Sequence, residues 1–333
     1  MISTLRRPVA ASVLLALMAG ATPVAAQIET IGPKTETKAI GAKPAKTLKA
    51  LRLGIVAASR VGPALERVEP FRRRLAATLE EGATVVTFDN EAELVRALAA
   101  ERIDYAPLTA SGFATASVLC GCVEPLAAPR AADRSAGWYA VVVTRPDGPI
   151  VKAEDLAGRT MALTGDEAVG TRRLPLMMLA KSGLTGAKAP RLIGEADPKA
   201  ALRSLLAGRV EAALIWSSLE GEKDEGWTRG PLRDLVAAGE VRPEDVRIVW
   251  TSPILPHGPH AVRSAIDEGR KRRLREMLIE LDTDPEAYEA IEPVHSGGFV
   301  RVGAPAYAPF TEMVTPRAEP SEPTRPDGAT PPG

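Results

Sequence analysis

The chain has 333 residues, of which 45% are hydrophobic, 25% charged and 4% aromatic, and its 42 Lys and Arg balance 42 Asp and Glu. That composition is ordinary soluble globular protein, long enough for about two domains with a sizeable core. The even charge balance, with no basic block, excludes nucleic acid as an expected partner.

Met1 to Arg7 carries Arg6 and Arg7, Val9 to Met18 is an apolar run too short to span a bilayer comfortably, and Val24-Ala25-Ala26 sets small residues before Gln27. Residues 1–26 therefore read as a signal peptide cleaved after Ala26, with the Arg pair a weak pointer to twin-arginine export. The leader holds two basic residues and no acidic one, so its removal leaves a net charge of −2. Residues 27–49, rich in Lys, Thr, Gly and Pro without periodicity, read as a flexible linker.

From there short β-type runs alternate with amphipathic helices. Leu51 to Val56 predicts a strand, Val68 to Glu80 a helix with Phe71, Leu75 and Leu79 on one face, and Ala83 to Phe88 a strand. Asn90 with Glu93 predicts a capping box opening the next helix, and Ile103 to Leu108 returns as a strand. A second unit starts after Trp138 to Thr144, continues through the strand Thr160 to Thr164 and the helix Leu174 to Leu184, and repeats the order through Ala200 to Leu206 and Val210 to Ile215. The alternation predicts an α/β fold with open, parallel-rich sheets in two lobes. Residues 50–142 would form the first lobe and 143–247 the second. Residues 248–314, including the strand Val246 to Trp250 and the helix Lys271 to Leu281, would return to the first. Hinge positions then fall near Ala140 to Thr144 and Ile248 to Ser252. Residues 315–333, with Pro at 316, 320, 323, 326, 331 and 332, read as a disordered tail.

Two loops carry the candidate chemistry. Leu108-Thr109-Ala110-Ser111-Gly112-Phe113 and Gly165-Asp166-Glu167-Ala168-Val169-Gly170-Thr171 each follow an apolar run and open a helix-like segment, which points backbone N–H groups at an anion. Thr109 and Ser111 would donate from one lobe, and Gly170, Thr171 and the forked guanidinium of Arg172 from the other. Thr171 and Ser111 also suit plain N-caps, and a cap is compatible with an anion site. Of the scarce aromatics, Trp138, Tyr139 and Trp216 are placed to wall a cleft or to fill core. His257 and His260 flank Gly258-Pro259, but His295 is the one further histidine, so a metal site is not expected and the imidazoles are read as facing solvent or the cleft rim. Cys120-Gly121-Cys122 leaves open a tight disulfide, two buried thiols or a redox- or metal-responsive pair. The common nucleophile-elbow, nucleotide-loop and zinc-protease motifs do not occur, so catalysis has no anchor and no cofactor is expected.

Leu51 to Val56, Asp104 to Phe113, Asp155-Leu156-Ala157-Gly158 before a strand, Gly165-Asp166, Ser252-Pro253-Ile254-Leu255-Pro256, Gly298-Phe299-Val300 and Tyr307-Ala308-Pro309 follow one another in an order and spacing that resemble the phosphate/phosphite/phosphonate-binding proteins of ABC importers. The resemblance covers about residues 51–314. It implies a two-lobe type II periplasmic binding protein fold, each lobe an open mixed sheet flanked by helices. It also implies a periplasmic monomer that carries a small oxyanion to an inner-membrane ABC permease; a sensing subunit for a membrane kinase or chemoreceptor is the alternative. The family's second loop usually reads Gly-Asp-Pro-x-Ser-Thr-Ser-Gly; here Glu167 to Thr171 lacks two of those hydroxyls. A family carboxylate that meets a ligand amine aligns with Trp216 or Ser217, which makes an aminoalkylphosphonate a poor expectation. N-terminal sequencing of exported protein is expected to begin at Gln27, and a sequence beginning at Met1 would refute the cleavage site.

Overall fold

The structure, a computed structural model, describes residues 50–57, 60–164 and 169–315. The expected signal peptide, the linker, Gly165 to Ala168 of the second loop and the tail beyond Thr315 lie outside those residues.

The first lobe runs β1 (Leu51–Val56), α1 (Val61–Leu79), β2 (Ala83–Phe88), α2 (Glu91–Ala99), β3 (Tyr105–Pro107), α3 (Ala110–Cys120) and β4 (Val123–Pro129). β1 buries Leu51, Leu53 and Ile55, and Gly54 between them lies against Ile103 and Leu94 on the other face, as a central parallel strand covered on both sides must. α1 buries Ala64, Val68, Phe71, Leu75 and Leu79, a single stripe at three- and four-residue spacing. It starts seven residues before the sequence pattern suggests, because Pro63 falls in the first turn, where a missing N–H costs nothing. Asn90 caps α2 as expected, accepting from the Glu93 N–H at 3.0 Å.

The second lobe comprises β5 (Gly137–Thr144), β6 (Thr160–Thr164), α4 (Leu174–Lys181), β7 (Arg191–Glu195), α5 (Pro198–Leu206), β8 (Ala212–Ser217), α6 (Pro231–Ala237) and β9 (Arg247–Thr251). The chain then adds β10 (Leu255–Pro256), β11 (His260–Arg263), α7 (Glu268–Ile279), α8 (Pro285–Ile291), β12 (Phe299–Arg301) and α9 (Ala308–Val314). One sheet has the order β12-β4-β11-β3-β1-β2 and the other β10-β5-β8-β6-β7, with β9 also on β5. β1 is parallel to β2 and β3, whereas β11 is antiparallel to both its neighbours, so each sheet is mixed.

The hinge positions differ from the expectation. β5 pairs with β8 from Tyr139↔Ser217 to Thr144↔Ala212 and with β9 from Val141↔Thr251 to Thr144↔Arg247, so 137–144 and 247–251 both belong to the second sheet. Boundaries at 142/143 and 247/248 therefore cut through or against paired strands, and β9 does not return to the first lobe. The passages between sheets lie instead at 130–136 and 257–259. Ser252 closes the second sheet, donating its N–H to the Ala140 carbonyl at 2.9 Å and accepting the Ala140 N–H on Oγ at 3.0 Å.

β11, inserted between β3 and β4, is held by a carboxylate. Asp104 accepts from the Arg52 backbone N–H (3.0 Å) and both ends of its guanidinium (2.8 and 2.6 Å), while Arg263 of β11 lies 3.7 Å away and gives its own backbone N–H to the Asp104 carbonyl at 3.0 Å. Burial raises the Asp104 pKa, but the bonds from Arg52 and the charges of Arg52 and Arg263 together outweigh it and hold the carboxyl below the ordinary range. A carboxyl lowered on folding contributes stability above its unfolded pKa and loses it as pH falls through the folded value. Asp104→Asn is expected to cost about 3 kcal/mol, since the Arg52 guanidinium loses its counter-charge while Arg263 keeps Glu101 at 2.7 Å. Thermal melts across pH are also expected to show a smaller loss of stability below pH ~4 for the variant than for wild type; equal pH slopes would sink the assignment.

Candidate functional site

A cavity of about 700 Å³ opens between the lobes, where Val56 ends β1 and Leu108 to Ser111 lead from β3 into α3. Trp138 of β5 and Gly170 line it from the second lobe, and Pro129, His257, His260, Glu292 and His295 from the crossing and return segments. The ends of parallel strands are where open α/β sheets leave a crevice.

Thr109 caps α3, accepting from the Gly112 N–H at 2.9 Å. Its own donors point at Glu91: the Thr109 N–H reaches one carboxylate oxygen at 2.6 Å and the hydroxyl the other at 2.8 Å. With that hydroxyl proton committed, Ser111 Oγ at 3.0 Å donates to Thr109 Oγ1. Gly112 admits the carboxylate, because a Cβ there would collide with Glu91 Oε1. The start of α3 is thus an anion cradle filled by the chain's own carboxylate. Sequence reasoning missed Glu91, which reads as an acidic first-turn residue of α2 and lies 18 positions before Thr109.

Among the seven candidate residues Thr109, Ser111 and Gly170 line the cavity, while Tyr139, Thr171, Arg172 and Trp216 lie outside its lining. Tyr139 is turned away by the two-residue alternation of β5, which sends Trp138 to the cavity and Tyr139 to the core beneath α5 and α6. Trp216 is half-buried under the Arg229 guanidinium, 5.5 Å from ring centre. Thr171 and Arg172 belong to one wide π-helical turn, Val169–Arg173, that runs into α4, so Thr171 is not an N-cap. Gly170 lies against Trp138, where a Cβ would stand 2.7 Å from Cζ2.

The histidines sit deeper than the turn Gly258-Pro259 suggests. His260 is 1% exposed, packed among Phe71, Tyr105 and Phe299, with the Tyr105 hydroxyl on its Nδ1. His257 lies 4.2 Å from the His295 ring, and His295 Nδ1 is 2.9 Å from Glu292. Burial above all lowers His257 to about 4, aided by the positive charge of His295 and Arg229 and opposed by Glu292 and Asp133. Burial likewise takes His260 to about 4, with Glu292 opposing. Both rings are neutral at neutral pH. Cys120 and Cys122 are joined as a disulfide at the end of α3, away from the cavity lining. Among the described residues no cluster of three or more His, Cys, Asp or Glu could hold a metal ion.

Two mixed sheets flanked by helices, crossed twice by the chain and enclosing a cleft at the ends of parallel strands, define a two-lobe type II periplasmic binding protein. The family described as "ABC transporter, phosphonate, periplasmic substrate-binding protein" matches residues 54–307, and the chain belongs to it. It is therefore a solute-binding protein of an ABC importer, a family of transport components and not an enzyme class, whose members bind a small molecule and work with a membrane permease from the periplasm. Among solved structures the chain is similar to XAC2383 from Xanthomonas citri bound to ATP, at 17% identity over 79% of this chain and 95% of that one, TM-score 0.52. It is also similar to transferrin 1 from Manduca sexta, at 12% identity over 79% and 45% respectively, TM-score 0.54. At such identities the likeness is one of fold. Among the described residues no helix is long and apolar enough to cross a membrane.

Gly170→Ala is expected to displace the Trp138 indole, shift the tryptophan emission of the folded protein and lower stability by about 1–3 kcal/mol. Unchanged emission and melting temperature would mean that the wide turn moves freely past the ring.

Proposed function

We propose that this protein captures a small oxyanion of the phosphate, phosphite or phosphonate kind and delivers it, as a monomer exported through its signal peptide, to an ABC permease. The observation that carries this reading is the cradle at the start of α3: backbone and hydroxyl donors of Thr109, a bare Gly112 and a helix N-terminus, holding the Glu91 carboxylate. A site that stabilises one resident carboxylate stabilises an incoming oxyanion by the same donors once Glu91 turns aside. Thr109 and Ser111 would serve the ligand from the first lobe and Gly170 from the second, while Thr171 and Arg172, outside the present lining, would reach it only as the lobes close and Tyr139 and Trp216 would brace the second lobe from behind. Because such a ligand contacts both lobes only when they are closed, its binding energy favours the closed form that a permease recognises. Nothing in this cycle requires turnover.

A thermal-shift panel of phosphate, phosphite, methylphosphonate, an alkylsulfonate, ATP and small carboxylates tests the reading. A cognate ligand present at one hundred times its dissociation constant is expected to stabilise the protein by about 2.7 kcal/mol. A flat response across every oxyanion overturns the proposed ligand class.

A further inference from the structure

Two imidazole nitrogens of the cavity wall have no hydrogen-bond partner among the described residues: Nε2 of His257 and Nε2 of His260, each buried. Buried polar nitrogens in native proteins are almost always paired, and an unmade bond at such a depth carries the full cost of lost hydration. His260 is a built donor. The Tyr105 hydroxyl meets Nδ1 and has no other acceptor among the described residues, so its proton is satisfied only by donating to that nitrogen. The ring proton is thereby placed on Nε2, which meets no acceptor among the described residues. His257 is positioned as firmly. Tyr307 Oη donates to its carbonyl at 2.9 Å, the Leu108 N–H donates to the Pro259 carbonyl at 3.0 Å, and a Cβ on the intervening Gly258 would collide with the Leu108 carbonyl. The return segment is thus pressed against the entry to α3, whose own donors are spent on Glu91.

We infer that His257 and His260 are ligand-contacting residues of the first lobe, each forming an Nε2 hydrogen bond with an oxygen of the bound oxyanion. The inference rests on the oxyanion reading above and adds two imidazoles to the loop donors of the first lobe. Since both rings are neutral, they contribute direction and not charge, and they select an acceptor oxygen of fixed position.

Calorimetric titration with inorganic phosphate and with methylphosphonate, using wild type, His257→Leu, His257→Gln and Tyr105→Phe, tests it together with ¹⁵N–¹H spectra of the imidazoles. His257→Leu is expected to weaken binding about tenfold and His257→Gln, which keeps a donor, to recover to within about threefold of wild type. Tyr105→Phe, which frees the His260 tautomer, is expected to weaken binding by about three- to tenfold. The His260 Nε2–H resonance should move on titration, with the midpoint that calorimetry gives. A folded His257→Leu that binds as wild type, or a His260 resonance that is unmoved at saturation, overturns the assignment of that residue. Wild type that binds neither probe nor any other oxyanion overturns the ligand class and this inference with it; wild type that binds while the variants bind equally overturns this inference alone.

Discussion

The architecture depends on the insertion of β11 between β3 and β4. Parallel β2, β1 and β3 are built by the first hundred or so residues, but the crossover through α3 sets β4 one strand position away from β3, and the gap is filled only after the whole second lobe has been made. A strand that arrives more than 130 positions after its neighbour Ala127 brings a large loop-closure cost. The Asp104 cluster offsets part of that cost at one end of the strand: Arg52, Asp104 and Arg263 come from β1, the entry to β3 and β11, and the one half-buried carboxylate of Asp104 binds Arg52 directly and faces Arg263 at 3.7 Å. At the opposite end of the same strand stands His260, beside the cleft. Fold closure and site construction are therefore two ends of one four-residue element.

The electrostatic character of the cleft follows from how its groups are already paired. Glu91 neutralises the α3 N-terminus, Glu292 is held low by its bonds with His295, though burial works against it, and His257 and His260 are neutral. Both lining carboxylates are thus engaged, and the exposed guanidinium of Arg67 adds positive charge to the wall, so an anion meets directed donors together with a favourable charge. Asp133 in the first passage takes bonds from Ser135 and, across the cleft edge, from the Thr228 hydroxyl, which in turn sits 2.8 Å from Ser218 of the second lobe. Polar contacts of this kind are exchangeable, unlike apolar core, and suit a seam that must open and close.

Local pattern carried most of the elements. Phe71, Leu75 and Leu79 do form the buried stripe of α1, Asn90 does cap α2, and β1 does share a sheet with β3 and not with β6, because helical and strand periods are written within ten residues. What the pattern hides is pairing at a distance. The apolar run Val141 to Val143 reads the same whether its partners lie behind it or ahead, and only β8 and β9, some 70 and 105 positions on, place it in the second lobe. The same limit applied to the site. Thr109 and Ser111 were readable as donors at a helix start, but the present acceptor of Thr109, Glu91, and the depth of His260 are set by how α2 and β11 pack against that start. Tyr139 is the exception, since the alternation of Trp138 and Tyr139 was available in the sequence itself.

Closure of the lobes has to respect a core that does not stop at the cleft. One apolar cluster runs from Phe88, Leu94 and Phe113 of the first lobe through Tyr307 and Phe310 to Leu174, Leu179, Val142 and Leu214 of the second. α9 is the bridge, packing on both α3 and α4, and Lys181 and Glu312 are paired 2.5 Å apart across the α4–α9 contact. Sliding these faces apart would expose apolar surface at roughly 25 cal/mol for each Å². Rotation about the α9 side instead leaves that packing whole, and the passage 257–259 lies on that side, since Tyr307, just before α9, donates its hydroxyl to the His257 carbonyl at 2.9 Å. A ligand that grips the His257 ring therefore acts at the pivot, where a small gain in contact free energy is coupled most directly to the angle between the lobes.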